Sequence, residues 1–424
     1  MTTTTPPPLD PIAQEYAALA FGIERHIPGY VDAYVGPPEP RHEAAAGEPA
    51  APAELLATAR QLAIQVAEAP IPEERVGFLT AQLAAMITIC RKLTGEEFAY
   101  SDEVLLLFDI EPTRTPEATF DDAITALDRL LPGRGDVAER MIAWRQLRQV
   151  TPETARRLID LLVPEIRRRT QAMVELPPGE EVEFRFVTDQ PWSGYNWFLG
   201  GGRSRVELNT DLPIDASRLP GLLCHEAYPG HHVEHSLKEA ILYHVQGRGE
   251  HAIHLINTPE CVISEGIATL AEVAIFPPEE SIRVRAEVVF PAIGLAADPA
   301  QEVAIGQALG ALRGVAGNAA LLRHEEGRPA AEVIDFLRRY GLVSDGEAQQ
   351  RLRFIDDPLW RPYIFTYHAG HDLLGAWLEA APPASRSARF RRLLTEQVSP
   401  SQVGRWLAAD GADLSPPSTR PSPD

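Results

Sequence analysis

The residue types best suited to chemistry lie together in residues 225–232, which have the sequence His-Glu-Ala-Tyr-Pro-Gly-His-His. Neutral imidazoles are common zinc ligands, and a carboxylate beside them can accept a proton from an attacking water. In the usual zinc motif, HExxH, the two histidines lie four residues apart on one helix face and the glutamate acts as general base. The segment therefore predicts a zinc site with His225 as a ligand and Glu226 as the general base.

The second histidine ligand is displaced from its usual spacing, because Pro229 and Gly230 lie inside the motif. His231 follows His225 by six residues and His232 follows it by seven. On an ideal helix His231 would point elsewhere, and His232 would lie roughly 10 Å along the axis, too far to share one ion. Proline removes a helical hydrogen bond, so we expect a kinked or bulged turn that brings a distal histidine back. We favour His231, which needs only two inserted residues, and keep His232 as the alternative.

A third ligand is expected, because catalytic zinc takes three protein ligands and leaves one position open. Glu265 lies in a predicted helix between residues 258 and 277, on the stripe opposite its apolar face. Gly266 beside it would let another element approach closely. We predict Glu265 as the third ligand, with Glu272 or Thr269 supporting it.

The chain resembles the bacterial family catalogued as domain of unknown function 885, whose members carry HExxPGHH, then EGWAxYxE, then a C-terminal Tyr-x-x-Gly. The matching segments here are residues 225–232, 265–272 and 367–370, within a likeness that covers roughly residues 180–375. Ile267 stands where the family often has Trp. The family is classed with zinc metallopeptidases, so the resemblance implies zinc as the cofactor.

The resemblance also implies a fold and one further catalytic residue. The fold is a mainly α-helical, zincin-like metallopeptidase, similar in plan to thimet-oligopeptidase-like and carboxypeptidase Taq-like enzymes, with a deep cleft between helical lobes. The family tyrosine corresponds to Tyr367, which we expect to donate to the oxyanion. His368 and His371 are further candidates for this role from the residues themselves.

These residues predict a zinc-dependent hydrolase that acts through a metal-activated water, with Glu226 as general base. The deep cleft that the resemblance implies would admit short peptides and exclude folded proteins, so we expect cleavage of peptide bonds in short peptides. The partner is then a peptide or a small amide substrate. Two alternatives stay open: a zinc hydrolase of a non-peptide amide or acyl substrate, and a non-catalytic metal-binding protein. The second of these has no use for the carboxylate of Glu226.

The amino-acid composition limits the classes of partner that the protein can bind. The chain has 39 Lys and Arg residues and 60 Asp and Glu residues, which gives a formal net charge of -21. Nucleic acids and anionic membranes are bound through basic patches, so we expect neither as a partner. A continuous apolar run of about 18 residues and the features of a signal peptide are both lacking. With only three Cys as well, we expect a cytoplasmic protein.

The elements that must position these residues follow from periodicity. Residues 11–173 have a helical pattern, and the chain returns to helix after the histidine-rich segment. Between them, residues 182–187 and 203–210 alternate apolar and polar side chains, which predicts two short strands. Residues 195–199, which end in Gly200-Gly201-Gly202, are a further strand candidate. We expect a small β-sheet beside the active-site helix, with the edge of strand 203–210 open to an extended peptide.

The predicted organisation has two regions. Residues 10–175 form an N-terminal helical lobe, and residues 176–410 form a zincin-like catalytic region with C-terminal helices. Residues 1–9 and 411–424 are polar and rich in proline, which predicts disordered tails.

Overall fold

Helices dominate a computed structural model of the protein, which describes residues 6–190, 194–211 and 213–411. The α-helices are α1 (Pro11–Glu24), α2 (Glu39–Ala45), α3 (Pro52–Glu68), α4 (Glu73–Leu93), α5 (Tyr100–Phe108), α6 (Glu117–Leu130), α7 (Val137–Gln146), α8 (Pro152–Met173), α9 (Leu219–Glu226), α10 (His231–Lys238), α11 (Pro259–Ile275), α12 (Pro278–Val284), α13 (Phe290–Ala292), α14 (Pro299–Ala311), α15 (Val315–His324), α16 (Ala330–Gly341), α17 (Asp345–Asp356), α18 (Ile364–Glu379), α19 (Pro383–Thr395) and α20 (Pro400–Ala409). The expectation of a mainly α-helical fold is confirmed.

The strands are short and form small sheets. They are β1 (Val31–Tyr34), β2 (Gln149–Val150), β3 (Glu181–Val187), β4 (Gly194–Gly200), β5 (Arg203–Asn209), β6 (Ile214–Asp215) and β7 (Ile253–Leu255). The predictions of β3, β4 and β5 are confirmed. The pairs β1–β7 and β2–β6 join distant parts of the chain and were not predicted. The strands of these pairs are only two to four residues long. A two-residue period of side chains cannot be recognised over so short a segment.

The three-stranded sheet has the order β3-β5-β4, with β3 parallel and β4 antiparallel to β5. Strand β5 is therefore central, and its hydrogen-bonding groups are used on both sides. The expectation that residues 203–210 offer an edge to substrate is wrong. The edges belong to β3 and β4, and β4 is the strand that contacts α9 and α10.

The helix that carries the histidine-rich segment breaks where Pro229 and Gly230 predicted a kink. Helix α9 ends at Glu226 and α10 begins at His231, and the Tyr228–Pro229 peptide bond is cis. A Cβ at Gly230 would lie 1.9 Å from the carbonyl oxygen of His225. Only glycine fits this position, so the chain turns back on itself and brings the start of α10 beside the end of α9.

Helices α11 and α18 cross with their backbones in close approach. A Cβ on Gly370 would lie 2.4 Å from the Val262 carbonyl oxygen, and one on Gly266 would lie 2.8 Å from the Gly370 carbonyl oxygen. Since neither glycine has a side chain, the two helices meet at this point. The expectation that Gly266 allows close approach of another element is confirmed.

Two buried hydrophobic clusters form the core. One combines α1 and α3–α7 with α14–α17, and the other combines α8–α10 with the later part of α18 and α19–α20. Helix α11 contributes Cys261 and Val262 to the first and Ile263 and Ile267 to the second. Both clusters draw on residues before and after position 175, and the proposed division at that position stays a prediction.

The ends of the chain lie mostly outside the described residues. Of the predicted tails, residues 1–5 and 412–424 are not described. Within the rest, Leu9 is buried, and the carbonyl of Pro7 accepts a hydrogen bond of 2.6 Å from the Tyr243 hydroxyl.

Helix α4 is long and apolar enough, by length and composition, to cross a membrane. Half of its apolar window is nevertheless buried inside the protein. Arg75 on this helix donates two hydrogen bonds to the buried carboxylate of Glu250, at 2.9 and 2.7 Å. This is the packing of a core helix.

Candidate metal centre

Three helices bring potential metal ligands together. His225 lies at the end of α9, His231 begins α10, and Glu265 lies in α11. The Oε2 atom of Glu265 is 3.4 Å from His225 Nε2 and 3.9 Å from His231 Nε2. Glu226 lies beside them, with its Oε1 atom 4.0 Å from His225 Nε2. We call these four residues the His–Glu cluster.

The spacing of the His–Glu cluster suits a single ion. The ligand atoms of His225, Glu226 and His231 all lie within 4.8 Å of one another, so this group could hold a metal. Glu265 lies within the same limit of both histidines. Zinc bonds of about 2.0–2.1 Å in a tetrahedral arrangement place ligand atoms about 3.3–3.4 Å apart. Glu265 comes nearer to this spacing than Glu226.

The hydrogen bonds of Glu265 leave one oxygen without a partner. Its Oε1 atom accepts a hydrogen bond of 2.9 Å from the Tyr363 hydroxyl. Its Oε2 atom is buried and has no hydrogen-bond partner in the described part of the chain. A buried oxygen with free lone pairs, facing the Nε2 atoms of His225 and His231, is a suitable ligand for a cation. The residues present therefore fit a zinc ion held by two imidazoles and one carboxylate.

The pKa values of the two carboxylates in the cluster are shifted in opposite directions. Burial raises the pKa of Glu226, although the charges of His225 and His231 oppose this. Burial acts in the same direction on Glu265, but the imidazole of His225, 3.4 Å from its Oε2 atom, and the charge of His231 outweigh it and lower the pKa. Glu265 thus stays ionised, as a ligand must, and Glu226 is the more basic of the two.

His232 points away from the His–Glu cluster. It is fully buried, with Nδ1 2.9 Å from Ser204 Oγ and Nε2 2.9 Å from Glu180 Oε2. The same Glu180 oxygen accepts a hydrogen bond of 2.7 Å from the Tyr228 hydroxyl. The structure thus brings His231 to His225. His232 instead connects the turn between α9 and α10 to the three-stranded sheet through its contacts with Ser204 and Glu180.

The residues expected to support Glu265 do not contact its carboxylate. Glu272 accepts hydrogen bonds from Ser281 at 2.6 Å and from Arg285 at 3.0 Å. The Thr269 hydroxyl donates to the backbone carbonyl of Glu265 at 2.7 Å. Glu272 therefore pairs with Arg285 instead of supporting Glu265, and Thr269 contacts Glu265 only through its backbone.

Tyr363, which the sequence analysis missed, is the residue that contacts the Glu265 carboxylate. It precedes Tyr367 by four residues at the start of α18, so the two rings lie on one face. Their centroids are 5.7 Å apart. This four-residue spacing of tyrosines was the available signal in the sequence.

Of the three candidate oxyanion donors, Tyr367 is the one on which the charges of Glu265 and Glu226 act. Burial and the nearby charges of Glu265 and Glu226 raise its pKa well above the ordinary value, so its hydroxyl stays protonated. His368 is buried on another side of α18, where a Cβ on Gly317 would lie 2.5 Å from its ring. His371 contacts Arg313 at an exposed position, 2.8 Å away.

Strand β4 lies beside the His–Glu cluster, as the expected small sheet beside the active-site helix requires, and β1, which was not predicted, adjoins it. The Asn196 side chain on β4 donates a hydrogen bond of 2.6 Å to the backbone carbonyl of Glu226. Tyr195 donates to Asp32 on β1, and the charge of His231 acts on that carboxylate. Asp32 lies almost two hundred positions before His231, so no local pattern could associate the two.

Other histidines near the motif lie outside the cluster. His235 and His254 pack with ring centroids 4.3 Å apart, and burial lowers the pKa of both. Among the described residues, the group of three that could hold a metal includes neither. They are core histidines.

The deep cleft implied by the family resemblance stays an expectation. Two open depressions on the described surface lie elsewhere. One is lined by Arg169 and Ala274, where α8 meets α11, and the other by Arg389 and Trp406, between α19 and α20. Neither contains a residue of the His–Glu cluster.

Comparisons with known proteins show a fold that this chain shares with solved structures, and they indicate no activity. No family model and no curated protein matches the chain. Among solved structures it is similar to one from Colwellia psychrerythraea, described as a "putative lipoprotein", with a TM-score of 0.51 and 16% identity over 84% of this chain and 66% of that one. Another, from Shewanella oneidensis, is described as a "putative lipoprotein of unknown function", with a TM-score of 0.48 and 12% identity over 87% of this chain and 76% of that one.

The chain thus spans just under two thirds of the length of the Colwellia protein. At this identity the likeness shows a shared fold alone. Membership in the family of domain of unknown function 885 stays a prediction from the motifs.

Proposed function

We propose that this protein is a zinc-dependent hydrolase with a helical zincin-like fold that cleaves peptide bonds of short peptides. One observation carries the proposal. The Nε2 atoms of His225 and His231 converge on the Oε2 atom of Glu265, which has no hydrogen-bond partner among the described residues, and a second, more basic carboxylate lies beside them. Membership in the family of domain of unknown function 885 would explain why these residues occur together, because the family motifs contain them.

Each residue then has a distinct task. Zinc, bound by His225, His231 and Glu265, would supply Lewis-acid polarisation and a more acidic water. Glu226 accepts a proton from the attacking water and passes it to the leaving amine, a role that its raised pKa favours. Tyr367 donates a hydrogen bond to the carbonyl oxygen as that oxygen gains negative charge.

The sheet supplies a place for the substrate backbone. Strand β4 is an edge of its sheet and lies against the end of α9, where Asn196 binds the backbone of Glu226. We propose that an extended peptide pairs with this edge through main-chain hydrogen bonds. This replaces the role first expected of β5.

Metal analysis of the purified protein is the first test. We expect about one zinc per chain, and chelation should abolish hydrolysis. His225→Ala and Glu265→Ala should each lose most of the metal. His244→Ala is the matched control, since His244 is a half-exposed histidine of the same region that contacts Glu239 instead. Full zinc occupancy in both His225→Ala and Glu265→Ala would overturn the metal site.

A substrate screen tests the peptidase assignment separately. Zinc-loaded protein should hydrolyse short free peptides, and non-peptide amides or acyl esters should be poor substrates. Turnover of non-peptide amides alone would retain the metal site and overturn the peptidase assignment. Absence of turnover for every substrate, with zinc bound, would favour a non-catalytic metal-binding protein.

A further inference from the structure

We infer that Ser264 and Glu234 are positioning residues that hold His231 in the tautomer able to bind a metal. The inference deepens the proposed function and rests on the metal site described there. Its geometry is independent of the identity of the substrate.

A chain of short hydrogen bonds runs from the far side of the His231 ring. The Nδ1 atom of His231 lies 3.0 Å from Ser264 Oγ. The Ser264 hydroxyl donates to Glu234 Oε2 at 2.6 Å, and Lys238 Nζ donates to Glu234 Oε1 at 2.7 Å. Ser264 is 8% exposed, and Glu234 and Lys238 are each 1% exposed.

Proton counting along this chain determines the tautomer. A serine hydroxyl has one proton, and at 2.6 Å that proton goes to the Glu234 carboxylate, which has none to give. Ser264 Oγ must therefore accept from His231, which places the imidazole proton on Nδ1. The lone pair of the neutral ring is then on Nε2, the atom that faces Glu265 at 3.9 Å.

Helices α10 and α11 hold the residues of this hydrogen-bond chain in place. His231, Glu234 and Lys238 lie three and four residues apart, so they share one face of α10. Glu260 on α11 lies 3.7 Å from Lys238 Nζ and places a second carboxyl group beside the buried ammonium. Ser264 directly precedes Glu265 on α11. One turn of this helix therefore carries the proposed ligand Glu265 and also Ser264, which contacts the proposed ligand His231.

Zinc affinity of Ser264→Ala tests the inference. Loss of a residue that orients a metal-binding histidine typically weakens metal binding about 10- to 100-fold, so we expect zinc to dissociate that much more readily in competition with a chelator. Ser264→Thr keeps the hydroxyl and should restore affinity. Ser236→Ala is the matched control, because Ser236 is also buried, on α10, and its Oγ has no hydrogen-bond partner in the described chain.

A second readout does not depend on bound zinc. Nitrogen-15 NMR of histidine-labelled, metal-free protein should show His231 protonated on Nδ1 in the wild type and a mixture of tautomers in Ser264→Ala. Unchanged zinc affinity in folded Ser264→Ala, or an Nε2-protonated His231 in the wild type, would overturn the inference. If the wild type shows the expected tautomer but binds no zinc, the proposed function fails while the positioning of His231 stands.

Discussion

At the scale of single residues, two buried carboxylates in one cluster have different surroundings. Glu265 is held by the Tyr363 hydroxyl and lies near both histidine Nε2 atoms. Glu226 is held through its backbone by Asn196, and burial raises its pKa. The first arrangement favours a metal ligand and the second favours a group that accepts and releases a proton.

Glu226→Gln separates these two roles. Glutamine keeps the shape of the side chain but cannot accept a proton at neutral pH. We expect the variant to keep its fold and its zinc, with turnover lower by about 10²- to 10⁴-fold. Steady-state kinetics together with metal analysis measure both properties. Loss of zinc would make Glu226 a ligand, and normal turnover would place the base elsewhere.

Glu272 is expected to affect stability, because its partner is Arg285. Burial would raise its pKa, but Arg285 and Ser281 outweigh this and lower it below the ordinary 4.5. The folded protein therefore binds this proton more weakly than the unfolded chain. The stabilisation is present above pH 4.5 and is lost as the pH falls through the lowered pKa.

Glu272→Gln should thus lower the free energy of unfolding by about 1–3 kcal/mol at pH 7. The difference from wild type should shrink towards pH 3. Urea unfolding at both pH values measures it, with hydrolysis as a control that should stay near the wild-type rate. A difference independent of pH would show that the ion pair is not its cause.

At the scale of elements, a helix break and a helix crossing assemble the cluster. The break after α9 lets His231 return to His225. The crossing of α11 and α18 at Gly266 and Gly370 brings Tyr363 to Glu265. Both depend on glycines at positions where a Cβ would meet backbone atoms, which explains why short glycine motifs accompany the ligands.

Gly370→Ala tests the crossing. The added Cβ would overlap the Val262 carbonyl oxygen, so α18 must shift away from α11. We expect a loss of about 1–3 kcal/mol in unfolding free energy, and weaker zinc binding because Tyr363 moves with α18. Gly404→Ala in α20, where a Cβ meets nothing within 4 Å, is the control and should be neutral or stabilising. Equal effects of the two variants would contradict the crossing.

At the scale of the whole molecule, α11 connects the two hydrophobic clusters to the His–Glu cluster. Glu265 follows residues that pack in the first cluster and lies among residues that pack in the second. A metal held at this point would join α9, α10 and α11. Binding to the folded chain alone stabilises it by about 2.7 kcal/mol when free metal is 100 times its dissociation constant.

Zinc should therefore raise the thermal midpoint of the apo protein by several degrees. Scanning calorimetry at matched rates, with and without added zinc, measures the shift. His225→Ala should show little shift, and His244→Ala should show the wild-type shift. An equal shift in His225→Ala would place the stabilising metal at another site.

The sequence by itself determined the features that local stereochemistry controls. Alternating side chains predicted β3 and β5, since successive residues of a strand face opposite sides. Pro229 and Gly230 predicted the helix break, because proline lacks the amide proton that a helix needs. The types and order of His225, Glu226 and Glu265 were sufficient to predict a group of side chains that the structure brings together.

Tertiary structure alone decided which side chains face the centre. His231 and His232 are neighbours of the same type, and only the contacts of His232 with Glu180 and Ser204 turn it towards the sheet. Packing likewise assigned Tyr363 to Glu265 and Arg285 to Glu272, and placed β5 at the centre of its sheet. Each outcome depends on which distant segments pack together, which a local pattern does not encode.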